Sequence, residues 1–386
     1  MKIVMDFRKY DGVIGGVERA VIEITRYVAA HGHQVVILPK AGRLEEVRTV
    51  FQDAPNVKLV PLDVRSHAMS LTNGYLDSVN LQTIAEKEHA NVIHFPYNWS
   101  FPVRRRVPCI LTIHDVIPLT FREAMGFFRN RLLYRPGIRL ACRLNDVIAT
   151  VSEFSRQDIG RKLGIPTGKI RVIPNGIREP FPPDPGLEAQ LAARWRLDTD
   201  FVLYVGGIHE RKNVIRLIRA FSRLISTSGF PGKLLLTGRV SGAPYQEKMR
   251  KLCEAAVREA GMQEHVIFTG FITDQELDSL MRRALFLVYP SLYEGFGIPV
   301  LEAMRLGIPV ITSSTTALPE VAGDAAVLVN PEGVEDIWRA MGRLLQNKPL
   351  REALVEKGRQ RALPYTWERT SEQYLELYRS LDHRRP

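Results

Sequence analysis

Residues 285–312 read LFLVYPSLYEGFGIPVLEAMRLGIPVIT. The apolar run 285–289 predicts a buried strand, and the apolar pattern from Ile298, with Pro299 in its first turn, predicts a helix. The apolar run 309–312 predicts a second buried strand. Continuous apolar strands joined by a helix are typical of a parallel sheet that is covered on both faces. This stretch therefore indicates an α/β protein.

The same strand–helix–strand unit recurs in both halves of the chain. In the first half the predicted strands are 1–7, 34–38, 91–95, 110–113 and 147–151. In the second half they are 201–205, 233–237, 265–268, 285–289, 309–312 and 326–329. Two successive sets of these units predict two doubly wound domains, whose ligands bind beyond the carboxyl ends of the strands.

A stretch rich in proline and glycine separates the two sets. It reads PNGIREPFPPDPG from Pro174 to Gly186, and its prolines interrupt both helices and central strands. We therefore predict a first domain over 1–178, a linker over 179–199 and a second domain over 200–365.

Length and composition exclude several classes of protein. With 386 residues, of which 45% are hydrophobic and 25% charged, the chain is typical of globular proteins with two domains. The three cysteines, Cys109, Cys142 and Cys253, are too scattered for a disulfide framework or a zinc site, which favours the cytoplasm. No apolar run approaches the roughly 18 residues of a membrane span. Asp6 and Arg8 interrupt the region where a signal peptide is apolar.

The positive charge is concentrated in the first half. Residues 1–178 hold 26 Lys and Arg against 16 Asp and Glu, which is nearly all of the net charge of +11. Within them, residues 104–143 contain nine arginines interleaved with apolar residues. This pattern predicts a basic amphipathic helix that docks on an anionic membrane, at the inner face if the protein is cytoplasmic. A domain helix with solvated arginines remains the alternative.

The loop before the predicted helix at Ile298 has the features of an anion site. Gly295 and Gly297 precede the helix, whose N-terminal N–H groups and dipole favour a phosphate. Glu294 on the loop and Glu302 on the helix can accept hydrogen bonds from sugar hydroxyls. The combination predicts a site for a nucleotide sugar, although Glu302 alone would be interpreted as an ordinary exposed helix residue.

Arg211 and Lys212 follow the predicted strand 201–205 and a turn at Gly206 and Gly207. Two cations at this edge of the sheet stabilise the negative charge of a leaving diphosphate without a metal. A solvated pair at a helix start is the alternative, but basic residues are unfavourable there, so an anionic partner is expected.

Asp198, Thr199 and Asp200 form an Asp-x-Asp triplet of the kind that binds a metal in some enzymes. They precede the strand 201–205 and so lie at its amino end, away from the expected ligand edge. We therefore interpret the triplet as a polar turn and predict no required metal.

Six further motifs accompany the Glu-x7-Glu spacing of Glu294 and Glu302. They are GGVERA near Gly15, TIHDVIPL near His114, VSEFSRQDI near Glu153, VIPNGI near Asn175, YVGGIHERKN near Lys212 and YTWERTSEQYLELY near Trp367. With EGFGIPVLEAM, they resemble the retaining glycosyltransferases of family four over almost the whole chain. The resemblance implies the α/β GT-B fold, in which two Rossmann-like domains face each other across a cleft and a C-terminal helix, here 366–382, crosses back to the first domain.

The resemblance also implies roles for individual residues. Glu294 would hold hydroxyls of the donor sugar and Glu302 the ribose, while His114 would lie beside the donor sugar and position it. Arg211 and Lys212 would bind the diphosphate. The other residues expected to contact the donor, including its base near 270–273, are Gly15, Gly16, Gly207, Ile272, Gly295, Phe296 and Gly297.

The implied activity is a metal-independent hexosyl transfer that retains the configuration of the sugar, with a nucleotide sugar as substrate and no cofactor. Similarity to bacterial mannosyltransferases of polysaccharide assembly predicts GDP-mannose as the donor, with UDP-glucose or UDP-N-acetylglucosamine as alternatives. A glycan or lipid-linked acceptor is expected on the first domain.

Two other functions compete with this prediction. A sugar-nucleotide epimerase shares the fold, but Glu-x7-Glu with Arg211 and Lys212 favours transfer. A nucleic-acid-binding protein would explain the computed pI of about 9.6, but the basic region lacks a recognisable nucleic-acid module and an aromatic stacking platform.

Overall fold

The structure is a computed structural model that describes residues 1–64, 79–103, 106–121, 130–238 and 244–382. The chain forms two units. The first comprises Met1–Gly176 together with the chain from Tyr365 onward, and the second comprises Ile177–Pro364. Each unit is built on its own parallel sheet, which confirms the predicted α/β class.

The sheet of the first unit contains seven parallel strands among the described residues, in the order β3-β2-β1-β4-β5-β6-β7. Val4 lies opposite Val36 on one side and Ile93 on the other. The strands are β1 (Lys2–Asp6), β2 (Gln34–Leu38), β3 (Val57–Leu59), β4 (Val92–Phe95), β5 (Cys109–Thr112), β6 (Val147–Thr150) and β7 (Ile170–Val172).

Helices cover this sheet through apolar faces. In the first of them, Ala20, Val21, Ile24 and Val28 recur at helical spacing and are all buried. The helices that precede the second unit are α1 (Gly16–Ala30), α2 (Leu44–Val50), α3 (Leu81–Lys87), α4 (Arg135–Leu144) and α5 (Glu153–Leu163).

The second unit has six parallel strands within the described part of the chain, in the order β10-β9-β8-β11-β12-β13. The strands are β8 (Phe201–Val205), β9 (Lys233–Thr237), β10 (Val266–Gly270), β11 (Phe286–Tyr289), β12 (Val310–Ser313) and β13 (Val327–Val329). The helices are α6 (Pro185–Trp195), α7 (Val214–Ser228), α8 (Pro244–Glu259), α9 (Asp274–Arg283), α10 (Ile298–Arg305), α11 (Leu318–Ala322), α12 (Val334–Gln346) and α13 (Lys348–Ala362).

The last helix, α14 (Trp367–Asp382), returns to the first unit and packs against α1, as the sequence predicts. Its Tyr378 is fully buried, and the Tyr378 hydroxyl is 2.8 Å from Nδ1 of the buried His94 on β4. Burial lowers the pKa of His94 to about 3, so this histidine is neutral in the core. Gly176 lies so close to the α14 backbone that a Cβ on it would be 2.3 Å from the backbone nitrogen of Trp367.

The structure differs from the sequence prediction in its edge strands and its linker. The three-residue strands β3 and β7, at the two edges of the first sheet, are absent from the prediction. The stretch 179–199, which the sequence analysis treats as a linker, contains α6, and that helix packs against α9 within the second unit. Asp184 caps α6, because its side chain accepts a hydrogen bond from the backbone of Leu187.

Part of the arginine-rich stretch lies outside the described residues, namely 104–105 and 122–129. In the described part, Pro136 and Gly137, which would be expected to interrupt a helix, both belong to α4. Pro136 lies in the first turn of α4, where proline is favoured, directly after the π-helix Asn130–Tyr134.

Candidate active site

The loop between β11 and α10 holds its shape through Gly297. This residue caps α10 with φ +124°, and a Cβ on it would lie 2.8 Å from Cδ2 of Leu318. Both the backbone conformation and the available space therefore require glycine. Gly295 and Phe296 of the same loop are buried, and Ile298 and Pro299 open the helix as predicted.

Glu294, at the start of this loop, forms a buried cluster with two cations. Its Oε1 lies 2.7 Å from Nζ of Lys212 and 3.0 Å from Nη1 of Arg211. The Tyr289 hydroxyl donates a 3.1 Å hydrogen bond to the same oxygen, and Lys212 also contacts that hydroxyl. Burial favours the neutral acid, but the charges of Lys212 and Arg211 outweigh it and hold the pKa of Glu294 below its ordinary value. The site therefore contains an ionised carboxylate that is compensated by two cations.

Two neighbouring strands bring this cluster together. β8 and β11 pair in parallel, so the loops that follow them leave from the same edge of the sheet. Asn213, with φ +63°, donates a 3.0 Å hydrogen bond from Nδ2 to the carbonyl of Pro290. The backbone N–H of Leu292 donates a 2.7 Å hydrogen bond to the carbonyl of Arg211. These bonds tie the Arg-Lys turn to the Glu294 loop and place all three charged side chains in contact.

The sequence predicts an anionic partner for Arg211 and Lys212, and in the structure Glu294 is that partner. Lys212 is buried rather than solvated, which argues against the alternative of an exposed pair at a helix start. Both cations lie beside the carboxylate, whereas the sequence assigns them to the diphosphate alone.

Glu302 has a partner that the sequence analysis does not identify. On α10 its Oε1 lies 3.6 Å from Nε of Arg178, and its side chain is 15% exposed. Nη1 of Arg178 donates a 2.7 Å hydrogen bond to Oδ2 of Asp278, which is buried on α9. Arg178 therefore connects α9 to Glu302. Its position directly after the VIPNGI motif is the one signal in the sequence that could have singled it out.

If the ribose of GDP lies at Glu302, as the resemblance implies, Arg178→Gln is expected to weaken GDP binding about tenfold or more, because hydrogen bonds to charged groups contribute about 1.5–3 kcal/mol. Calorimetric titration measures this change. If Arg178 acts by orienting Glu302 toward the ribose, the loss will be smaller with a deoxyribose analogue of GDP. Arg305→Gln, which removes a pair with Glu179 from α10, is the matched control. Equal losses with both nucleotides would show that Arg178 does not act through Glu302.

The remaining donor-site candidates of the second unit follow strands of the same sheet. Gly207 lies just beyond β8, and its carbonyl accepts a 3.1 Å hydrogen bond from the Tyr204 hydroxyl. Ile272, two residues beyond β10, is half-buried. The loops after β8, β10 and β11 therefore carry all of these candidates at the carboxyl edge of the sheet.

In the first unit, Gly15 and Gly16 form the N-terminus of α1. Gly15 is the capping residue, and its N–H donates a 3.1 Å hydrogen bond to Glu18 Oε2 at an exposed position. This carboxylate occupies part of the helix N-terminus that the resemblance implies would contact the donor.

His114 lies two residues beyond β5 and is neutral in the structure. Burial and the charge of Lys9 lower its pKa to about 4, although a hydrogen bond to the backbone of Pro96 opposes the shift. Its Nε2 is shielded from solvent and has no hydrogen-bond partner among the described residues. The ring can therefore accept a hydrogen bond from a ligand but is poorly suited to donate a proton.

Within the described ranges, no group of three or more His, Cys, Asp and Glu side chains is arranged to hold a metal ion. The Asp198–Asp200 turn precedes β8, and Asp198 is largely exposed. No described helix is both long enough and apolar enough to span a membrane.

Comparison with known proteins agrees with this architecture. A family model described as "Glycosyltransferase Family 4" matches residues 14–179, and one described as "Glycosyl transferases group 1" matches residues 190–361. O-antigen chain mannosyltransferase B of Escherichia coli is 29% identical over 302 residues, which are 78% of this chain and 77% of that protein. Serotype-specific mannosyltransferase WbdA of Escherichia coli is 30% identical over 266 residues, 68% of this chain but only 32% of that protein.

A solved structure of HepE from Anabaena, in complex with UDP and glucose, shows the same fold. It superposes with a TM-score of 0.75 and 17% identity, covering 98% of this chain and 100% of that one. The two family models leave only short segments of the chain unmatched. The chain is therefore a glycosyltransferase with the GT-B fold that is similar to family four and resembles bacterial mannosyltransferases.

Proposed function

We propose that this glycosyltransferase transfers mannose from GDP-mannose to a glycan or lipid-linked acceptor, with retention of configuration and without a metal. The observation that carries the proposal is the buried cluster of Glu294, Arg211 and Lys212. A carboxylate held ionised beside two cations can accept hydrogen bonds from sugar hydroxyls while the cations face a departing diphosphate.

In the proposed reaction, an acceptor hydroxyl oxygen bonds to the anomeric carbon on the face from which the diphosphate leaves. The bond between that carbon and the phosphate oxygen breaks, and its electron pair goes to the nucleoside diphosphate. The acceptor proton passes to the leaving phosphate oxygen. Arg211 and Lys212 stabilise the negative charge that develops there, and Glu294 opposes the positive charge at the sugar ring.

The choice of donor rests on the relatives. Both Escherichia coli proteins described above are named as mannosyltransferases, which supports a mannosyl donor. HepE was solved with UDP and glucose, which keeps UDP-glucose as an alternative donor. UDP-N-acetylglucosamine is the other alternative, from the sequence resemblance.

Calorimetric titration with GDP-mannose, UDP-glucose, UDP-N-acetylglucosamine, GDP and UDP, each with and without a chelator, tests the proposal. We expect selective binding of GDP-mannose that the chelator does not change and that Glu302→Ala weakens. Preference for a UDP-sugar would show that GDP-mannose is not the donor, but it would still agree with glycosyl transfer. Binding or transfer that a chelator abolishes and magnesium or manganese restores would contradict the metal-independent mechanism.

We propose further that α4 docks on an anionic membrane that presents the acceptor. Ile138, Ala141 and Cys142 turn to the core. The helix exposes basic residues and, with the segment just before it, large apolar residues: Arg135, Arg139, Arg143, Leu132, Leu133 and Leu140. Exposed leucines beside arginines are typical of a face that enters a lipid interface, whereas a simple domain helix has polar residues there.

We expect the wild-type protein to float with vesicles that contain phosphatidylglycerol and not with neutral phosphatidylcholine vesicles. Replacing Arg135, Arg139 and Arg143 by glutamine will reduce flotation, because each basic residue near an anionic surface contributes about 1 kcal/mol. The control replaces Lys248, Lys251 and Arg258, which are exposed on α8. Equal flotation of the two triple variants would argue against docking through α4.

A further inference from the structure

β12 and the turn after it are bonded to the loop that carries Glu294. β11 lies between β8 and β12 in a parallel sheet, so the segments that follow β8 and β12 flank this loop. On the β12 side, the Thr312 hydroxyl donates a 2.9 Å hydrogen bond to the carbonyl of Tyr289. The Ser313 hydroxyl donates a 2.6 Å hydrogen bond to the carbonyl of Ser291. The loop is therefore anchored to β12 as well as to the Arg-Lys turn.

Beyond β12, Thr316 contacts Glu294 directly. The backbone N–H of Glu294 donates a 3.2 Å hydrogen bond to Oγ1 of Thr316. The same hydroxyl donates a 2.7 Å hydrogen bond to the carbonyl of Thr315, so it is both donor and acceptor and its orientation is fixed. The backbone N–H of Ala317 donates a 3.4 Å hydrogen bond to the carbonyl of Glu294. Both backbone polar groups of Glu294 are therefore bonded to the turn 314–317.

Thr316 makes this contact from an unfavourable backbone conformation. Its φ is +62°, in the left-handed region that glycine tolerates. The other residues besides glycine that the structure describes with a positive φ are His89, Arg196 and Asn213, and none of these is β-branched. A β-branched residue in this region is strained, and such strain persists only where the surrounding contacts outweigh it. Glycine would relieve the strain at position 316 but would remove the hydroxyl that Glu294 contacts.

The contacts of the Glu294 carboxylate depend on where this backbone lies. Its Oε1 is 2.7 Å from Nζ of Lys212 and 3.0 Å from Nη1 of Arg211. A shift of the Glu294 backbone would lengthen these contacts or turn the carboxylate away. Preorganised electrostatic groups lose much of their effect when they are displaced by about 1 Å. The bond from Thr316 therefore acts on the charged cluster through the backbone of Glu294.

We propose that Thr316 is a positioning residue for sugar transfer, whose hydroxyl fixes the backbone of Glu294 so that the carboxylate faces its two cations, at the expense of a strained turn. The inference rests on the proposed function, in which Glu294 opposes the positive charge at the sugar ring. It adds to that function a residue from the segment after β12. Thr316 acts through Glu294 rather than on the sugar itself.

Thr316→Val tests the hydroxyl, because it preserves the β-branched shape and removes the acceptor for the Glu294 N–H. Turnover is followed as release of GDP from GDP-mannose, or of UDP from the UDP-sugar that calorimetry identifies. It is expected to fall about fivefold to tenfold, the effect of one hydrogen bond. Thr316→Ser keeps the hydroxyl and is expected to retain most of the wild-type turnover. Equal losses in the two variants would contradict a role of the hydroxyl.

Thr315→Val is the matched control, because it is the same substitution at the neighbouring, exposed position. Its turnover is expected to equal that of the wild type. A loss as large as that of Thr316→Val would show that the whole turn is sensitive to substitution and that the Thr316 hydroxyl has no particular role.

Thr316→Gly separates positioning from stability, because it removes both the hydroxyl and the strain. Its turnover is expected to fall as in Thr316→Val, whereas its thermal unfolding midpoint is expected to lie about 2–4 °C above that of Thr316→Val. A residue with only a structural role would lose turnover and stability together. A midpoint below that of Thr316→Val would contradict the strained turn. Since it relieves the strain, Thr316→Gly also keeps the test decisive if Thr316→Val does not fold.

A double-mutant cycle tests whether Thr316 acts through Glu294. In a Glu294→Gln background, Thr316→Val is expected to lower turnover by less than about twofold, because the carboxylate that it positions is already absent. A further loss of about fivefold or more would show that Thr316 acts independently of the carboxylate.

Hydrogen exchange measured by mass spectrometry provides a readout that does not depend on activity. The peptide that contains Glu294 is expected to exchange faster in Thr316→Val than in Thr315→Val, because its N–H has lost its acceptor. Equal exchange in the two variants would contradict the hydrogen bond on which the inference depends.

The outcomes separate this inference from the function on which it rests. If Glu294→Gln lowers turnover and Thr316→Val does not, Thr316 is not a positioning residue and the proposed function stands. If neither substitution lowers turnover, or if no nucleotide sugar binds the folded protein, the proposed function is wrong and the role of Thr316 in it is wrong as well.

Discussion

Glu294→Gln is expected to lower kcat/KM for transfer by about 10²–10³-fold, the loss that follows removal of one preorganised electrostatic group, about 3–4 kcal/mol. The substitution preserves the size of the side chain but removes the charge that pairs with Lys212 and Arg211. It also replaces one of the two carboxylate oxygens, which can accept hydrogen bonds from sugar hydroxyls, by an NH₂ group, which donates them. Steady-state kinetics with the donor identified by calorimetry measures the effect.

Glu332→Gln is the matched control, because Glu332 is an exposed carboxylate of the same unit. Its turnover should equal that of the wild type. If the turnover of Glu294→Gln is within twofold of this control and its unfolding transition is normal, Glu294 is not part of the active site.

Lys212→Met is the second substitution with a large expected effect, and it acts on stability as well as turnover. It leaves Glu294 buried with Arg211 as its remaining cation, and removing one partner of a buried ion pair costs about 3–5 kcal/mol. Because Lys212 is buried against Glu294 and Tyr289, we expect the free energy of unfolding to fall as well.

The pH dependence of stability distinguishes this effect from a simple packing defect. The lowered pKa of Glu294 contributes stability that is present above the ordinary carboxyl pKa and is lost as pH falls through the lowered value. Lys212→Met removes the largest favourable charge, so the loss of stability at pH values below the ordinary carboxyl pKa should shrink in that variant. Urea unfolding across pH measures it, with Lys248→Met, an exposed lysine on α8, as the control. The same decrease in both variants would contradict the buried pair.

The sequence predicts the central strands of both sheets but misses the two edge strands of the first sheet, for a physical reason. β1, β4, β5, β8 and β11 lie inside their sheets and are covered on both faces, so their residues form continuous apolar runs. β3 and β7 have one strand neighbour each, and in β3 the middle residue, Lys58, is exposed. Three residues with a mixed pattern do not distinguish an edge strand from a loop.

The linker prediction is wrong because proline interrupts a helix in its interior but is favoured in its first turn. The prolines of the stretch 180–185 indicate an interrupted chain, but Pro185 opens α6 at the first turn, where proline is favourable. Asp184, immediately before Pro185, is a typical capping residue. The signal for a helix start is therefore in the sequence, next to the prolines that suggest a linker.

At the site, the sequence identifies residue types near strand ends but not their partners. Glu294 and Lys212 are separated by 82 positions, and only the pairing of β8 with β11 shows that their side chains meet. Arg178 is missed because its contacts with Asp278 and Glu302 are equally remote in sequence. Local patterns carry no information on such pairs, which depend on the order of strands in the sheet.

The close approach of Gly176 to Trp367 has a consequence for how the chain acquires its fold during synthesis. Residues 177–364 form an insertion into the first unit, since the chain leaves that unit after Gly176 and returns to it at Tyr365. The ribosome therefore synthesises the whole second unit before α14. Four residues of α14 complete the core beneath α1: Tyr374, Leu375, Tyr378 and Leu381. The core of the first unit is therefore complete only after the second unit has been synthesised, and until then the apolar surface that α14 covers is exposed.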